Sequence, residues 1–274
     1  MRRWRFTALA VALLSVALSA QTVDEIIAKN LQAFGGLAKF RTVQSMKMTG
    51  DFEAAGMQAG FTQIFKRPMK VRLDISIQGL TLIQAYDGQT GWQVVPFTGK
   101  KDAEQMTADD LKNVRQQADF EGPLVDYKQK GNSVELVGKE KVEGTDVYHL
   151  KVTLKDGDVR NLYLDADSFL TVKVVAKTTM RGSEIELDTT LGDYKEVDGM
   201  LFPFSIEQHS VNGQGPGQKI TIKKVELNVP VDDSIFKMPP PPPPPPPAPD
   251  KPGSTPGASG TEPKPNSGSK PPQN

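Results

Sequence analysis

The stretch MKVRLDISIQGLTLIQAYDGQTGW, residues 69–92, decides how the chain folds. Met69, Val71, Leu73, Ile75 and Ile77 alternate with Lys70, Arg72, Asp74, Ser76 and Gln78 before a turn at Tyr86–Trp92. Successive side chains of a strand point to opposite sides of its sheet, so a period of two marks one dry face and one wet face.

The same rhythm extends in both directions. Upstream, Met46, Met48 and Phe52 oppose Lys47, Thr49, Asp51 and Glu53, and Phe61 and Phe65 anchor a strand that stops before Pro68. Downstream, Leu80, Leu82 and Trp92 to Val95 continue the sheet. Tyr148, Leu150, Val152 and Leu154 alternate with His149, Lys151, Thr153 and Lys155, and Gly157 turns the chain into Arg160–Leu164. Leu170–Met180 pairs with Ser183–Leu191 across Arg181-Gly182, and Phe204–Val211 pairs with Lys219–Leu227 across the glycine-rich loop 213–217. Short strands joined by hairpin turns predict a mainly β fold with covering α: one antiparallel sheet of about 11 to 12 strands, curved into a half-barrel or nearly closed.

Two or three short helices are predicted to cover that sheet. Residues 22 to 34 combine a Thr22/Glu25 capping box with Val23, Ile26, Ile27, Asn30, Leu31 and Phe34 at helical spacing, and Gly35-Gly36 ends the run. Ala108–Ala118 is capped by Thr107, carries Asp109 and Asp110 in its first turn, and shows a thin stripe of Leu111, Val114 and Ala118. Pro123 breaks it, and Leu124–Lys128 forms one further turn.

Both ends of the chain differ from this middle. Residues 1–20 read as a signal peptide, with Arg2, Arg3 and Arg5 before an apolar run Phe6–Leu18 and a small-x-small cleavage site at Ala20. That run is too short for a bilayer core of roughly 30 Å, so the expected product is exported, periplasmic or secreted, and soluble. No cysteine exists to carry a lipid anchor or a disulfide, so a folded domain over residues 21–238 must rest on its core. Lys plus Arg and Asp plus Glu are both 33, giving no basic excess to draw in nucleic acid. Residues 239–274 open with nine consecutive prolines and continue in small polar residues, a composition that predicts a stiff polyproline rod followed by a disordered tail.

The sequence displays no cluster that points to catalysis. Outside the leader His149 and His209 sit on the wet side of alternating strands, and no HExxH, CxxC or Gly-x-Ser-x-Gly pattern occurs. Asp165-Ala166-Asp167 and Asp232-Asp233 fall where turns or strand ends are expected. Neither an enzyme activity nor a cofactor or metal is therefore expected. The apolar sheet face is the stronger lead, because a few short helices leave part of so large a face uncovered, and an uncovered concave face suits a ligand or a partner. The candidate lining is Met46, Met48, Phe52, Phe61, Phe65, Val71, Leu73, Ile75, Leu82, Trp92, Leu150, Val152, Leu162 and Leu164. Methionines there would give deformable walls suited to acyl chains.

Five segments in order carry a family resemblance: Phe34-Gly35-Gly36, the Tyr86–Trp92 turn, Leu162-Tyr163-Leu164-Asp165, residues 194–203 (YKEVDGMLFP) and residues 231–236 (VDDSIF). Together they resemble the periplasmic outer-membrane lipoprotein-sorting carriers and their wider superfamily of half-barrel lipid-binding proteins. The resemblance covers about residues 22 to 238 and implies an unclosed barrel with a helical lid that binds acyl lipid or lipoprotein cargo without a cofactor. It also implies transient contact with membrane-bound donor or acceptor proteins. The alternative expectation is an envelope scaffold or a lipid- or stress-sensing module acting through protein contacts and the proline-rich tail.

Overall fold

In the computed structural model, residues 21–99, 102–180, 182–211 and 217–241 are described. The signal-peptide assignment for 1–20, the tail beyond Pro241, Arg181 and most of the 213–217 loop lie outside them.

The first helix of the described residues is α1 (Val23–Ala33), whose first turn is closed as its sequence predicts: the Thr22 hydroxyl accepts from the Glu25 N–H at 3.2 Å, and the Thr22 N–H donates to Glu25 Oε2 at 2.9 Å. At its end Gly35 takes φ 115°, and an added Cβ would lie 2.6 Å from the Gly199 carbonyl oxygen. Glycine there permits both the reversal and the close docking. Helix α2 (Leu37–Thr42) follows, a single short piece with no side-chain cap that the sequence does not advertise.

The first run of strands is β1 (Ser45–Ala54), β2 (Met57–Lys66), β3 (Lys70–Ile77), β4 (Leu80–Tyr86), β5 (Gly91–Val94) and a two-residue β6 (Glu104–Gln105). Helices α3 (Ala108–Ala118) and α4 (Tyr127–Lys130) then cross to the second run. That run comprises β7 (Ser133–Val142), β8 (Thr145–Thr153), β9 (Val159–Asp165), β10 (Thr171–Met180), β11 (Ser183–Val197), β12 (Met200–Ser210) and β13 (Gln218–Leu227). All form one antiparallel sheet of 13 strands, with β1 paired to β13 in the middle and β6 and β7 as unjoined edges. The sheet is therefore an open half-barrel, as predicted, with β6 and β7 beyond the strands anticipated. Strand β7 is hard to read from sequence because its register slips between Leu136 and Gly138, which puts Val137 out of phase and breaks the alternation.

Pairing fixes which side chains share a face. Met46 opposes Phe65, Phe65 opposes Val71 and Val71 opposes Tyr86, so the dry residues of four strands form one continuous inner face. Helix α3 packs Val114 and Ala118 onto this half, against Val71, Tyr86 and Phe65. Helix α1 packs Ile26 and Ile27 onto the other half, against Leu150, Val152, Leu162 and Leu164. No helix among the described residues is long and apolar enough to cross a membrane.

Candidate functional site: an apolar cavity between two covered halves

The helices cover the two halves of the inner face, and a cavity of about 330 Å³ lies between them. Its floor is Met46 and Met48 of β1, Phe65 of β2, Leu162 of β9, Val174 of β10, Leu191 of β11, Phe202 and Ile206 of β12 and Ile222 of β13. Asn30, Leu31, Phe34, Phe40 and Val43 form one lip, and Phe120–Leu124 the other. Phe65 and Leu162 stand six strands apart in the sheet order, about 29 Å on a flat sheet at ~4.8 Å per strand. Their presence in one cavity follows from the inward curl of the sheet.

The few polar groups in the walls are already engaged. Asn30, 2% exposed, donates to the Phe169 carbonyl at 2.7 Å. Glu121 accepts from Arg67 at 2.7 Å. The Tyr194 hydroxyl donates to the Thr171 carbonyl at 2.5 Å while its ring meets Phe34 edge-on at 5.9 Å, and burial pushes its pKa up, which keeps it neutral. Such walls offer chiefly apolar contact and shape.

Comparison with known proteins places this architecture. No family model matches the chain, and no curated protein does. Among solved structures, a DUF1329 family protein from Desulfovibrio piger superposes with TM-score 0.53 at 14% identity over 78% of this chain and 97% of its own. A LolA superfamily protein from Nitrosomonas europaea gives 0.54 at 13% identity over 77% and 96%. A domain from Vibrio parahaemolyticus described as an outer-membrane lipoprotein-sorting protein gives 0.51 at 12% over 77% and 94%.

The chain shares the fold of these three proteins.

Within this half-barrel the expected lining residues separate into groups. Met46, Met48, Phe65 and Leu162 line the cavity itself. Phe52, Phe61, Val71, Leu73 and Ile75 belong to the core on the α3 half, and Leu82 shares their face through its pairing with Ile75. Leu150, Val152 and Leu164 are 0% exposed beneath α1, consumed by packing. Trp92 is on the other side of the sheet. Tyr86 pairs with Gly91, so Trp92 pairs with Ala85 and joins the face of Arg72. There its indole N–H donates to the Phe236 carbonyl at 2.7 Å, and the Arg72 guanidinium lies 5.7 Å over its ring.

Leu191, Phe202, Ile206 and Ile222 complete the floor, and the period of two through Met200, Phe202, Phe204 and Ile206 makes Phe202 and Ile206 legible in the sequence. Phe34, Phe40 and Phe120 reach the cavity through tertiary contacts that no local pattern encodes. His149 lies on the outer face, between Glu140 at 2.8 Å and Asn161 at 2.9 Å and stacked on Tyr163 at 4.5 Å. Asp165 accepts from Ser168 and Asp167 in its own turn, and Asp232 caps the 3-10 turn at Asp233–Phe236. Among the described residues no group of three or more His, Cys, Asp or Glu stands ready for a metal.

Proposed function

We propose that the chain is a carrier which takes the acyl chain of a lipid or lipoprotein into the cavity between α1 and the Phe120–Leu124 segment and releases it to an acceptor. The observation that supports this is the composition of that cavity: aliphatic, aromatic and methionine side chains, with every polar group in its walls engaged elsewhere. Its volume of about 330 Å³ is at the small end of ligand sites, which run about 300–1,000 Å³, and suits a single chain. Burial at about 0.8 kcal/mol per methylene gives roughly 10 kcal/mol gross for a dozen carbons, enough for capture yet reversible against a bilayer. The leader at residues 1–20 would deliver the protein to the periplasm, where acylated cargo needs such a vehicle. The reading requires no cofactor and no catalysed reaction.

The test is native mass spectrometry and lipid extraction of protein produced with its leader and purified without detergent, followed by displacement of a fluorescent fatty acid. The expected result is copurifying single-chain or acylated species and saturable displacement, lost in Met48→Arg, which places a charge in the wall. A protein that copurifies with no lipid and binds no fatty acid would overturn the proposal.

A further inference from the structure

Phe120, Glu121, Gly122 and Pro123 also line a second recess, of about 620 Å³ and very different chemistry. Five cations (Arg67, Arg115, Lys130, Lys155 and Arg160) and three carboxylates (Asp119, Glu121 and Asp156) line it. Two of the cations are spoken for: Arg67 pairs with Glu121 at 2.7 Å and Lys130 with Asp119 at 2.6 Å. The side chains of Arg115 and Lys155 enter no hydrogen bond or ion pair with the described residues.

Arg160 is the unusual member. Its pairing with Val152 and Ala176 puts it on the inner face of β9, in line with Leu162 and Leu164. A charge on such a face is costly unless it is compensated. Its one hydrogen bond, at 2.8 Å, goes to the neutral amide oxygen of Gln116. The other end of that amide donates to Asp156 at 2.9 Å and Asp158 at 2.7 Å, which fixes the oxygen toward Arg160. A guanidinium has five N–H donors in a rigid fork, so most of Arg160's capacity is unspent in a recess with two further unpaired cations. Burial pulls its pKa down from the ordinary arginine value even though the carboxylates of Asp156, Asp158 and Asp119 act to hold it up, a remaining cost that a bound anion would relieve.

We infer that this recess receives an oxyanion, the phosphate or carboxylate head of the amphiphile whose chain occupies the apolar cavity, with Arg160 as the fork and Arg115 and Lys155 flanking it. The inference rests on the carrier reading and adds a class of cargo: single-chain anionic amphiphiles over neutral ones of equal length. The shared Phe120–Pro123 border is what places head and chain within one molecule's reach.

Calorimetric titration of the full chain with hexadecyl phosphate, hexadecanol and inorganic phosphate separates the possibilities. The expected result is that wild type binds hexadecyl phosphate about tenfold or more tighter than hexadecanol, since one charge-assisted hydrogen bond is worth about 1.5–3 kcal/mol. Arg160→Gln should abolish that preference while leaving hexadecanol binding intact. The Arg115→Gln/Lys155→Gln double variant, altering exposed side chains only, should reduce it severalfold without risk to the fold. Equal binding of the two amphiphiles by wild type, or a preference unchanged in both variants, would overturn the head-group site and leave the carrier reading standing. Arg160-dependent binding of inorganic phosphate to which the hexadecyl chain adds nothing would assign the recess to a free anion and overturn the lipid-head assignment. Binding of neither amphiphile would overturn the carrier reading and this inference with it.

Discussion

At Gly91 helix α3 lies close against the sheet. A Cβ added there would lie 2.8 Å from Met106 Sδ, 3.0 Å from Leu111 Cδ1 and 3.4 Å from Val114 Cγ1, all at or near the seat of α3. Gly91→Val is expected to lift α3 from the inner face and destabilise the fold by about 1–3 kcal/mol, the usual range for overpacking. Urea unfolding would measure the loss, and hydrogen exchange should speed up selectively at 108–118. The sequence marks Gly91 only as part of a turn, because what it avoids comes from a helix folded back over it. The same turn explains the misplacing of Trp92. Counting alternation through an irregular loop loses phase, whereas the hairpin sets it by pairing Tyr86 with Gly91.

The element that covers Trp92 is the 3-10 turn Asp233–Phe236, a strap across the outer face. Phe236 is fully buried, Arg72 donates to the Ile235 carbonyl at 2.8 Å, and the Asp233 carboxylate accepts from Lys66 at 2.7 Å and Lys70 at 2.5 Å. Lys66 first, then Lys70, holds the Asp233 pKa down to about 2. A carboxyl depressed on folding contributes stability above its ordinary value near 3.8 and loses it as pH falls through the folded value. The strap is therefore expected to loosen between about pH 4 and pH 2. Trp92, the sole tryptophan outside the first twenty residues, should report this as a red shift in emission. Asp233→Asn should remove that acid step and leave the strap looser at neutral pH. At this scale the sequence is most readable: the capping box of α1 and the Thr107 cap of α3 set helix starts that the structure reproduces, and alternation finds most strands. It fails where a bulge interrupts the period in β7 and where two paired residues make a strand, as in β6.

For the whole molecule, the decisive contacts join segments distant in sequence, which is why the cavity was only half visible beforehand. Met46, Met48, Phe65 and Leu162 could be nominated from their strands, but the lips come from α1, α2 and the 119–124 segment meeting across the opening. Arg67 holds those lips together: its guanidinium donates to the Val43 carbonyl at 2.6 Å and the Phe40 carbonyl at 3.0 Å on one side, and to Glu121 at 2.7 Å on the other. Arg41 adds an exposed pair with Asp126 at 3.1 Å, of a type worth about 0–1 kcal/mol. Arg67→Ala is expected to speed release of a bound fluorescent fatty acid severalfold, with faster hydrogen exchange at 37–44 and 119–123 and none at β11. Stopped-flow displacement would read the rate, and an unchanged rate would separate the latch from the exchange step.

The seam between β1 and β13 also governs how the molecule is made. Met46 pairs with Leu227 and Ala54 with Gln218, so strands at opposite ends of the folded region close the middle of the sheet. Each half before that is a run of consecutive hairpins, able to form as its residues appear, but the halves unite only once the last strand is present. Loop closure over so long a separation is slow relative to local pairing. A chain exported N-terminus first, as proposed, would thus leave β1 paired to β2 alone, with its other edge open until β13 emerges, and would complete its cavity only on arrival.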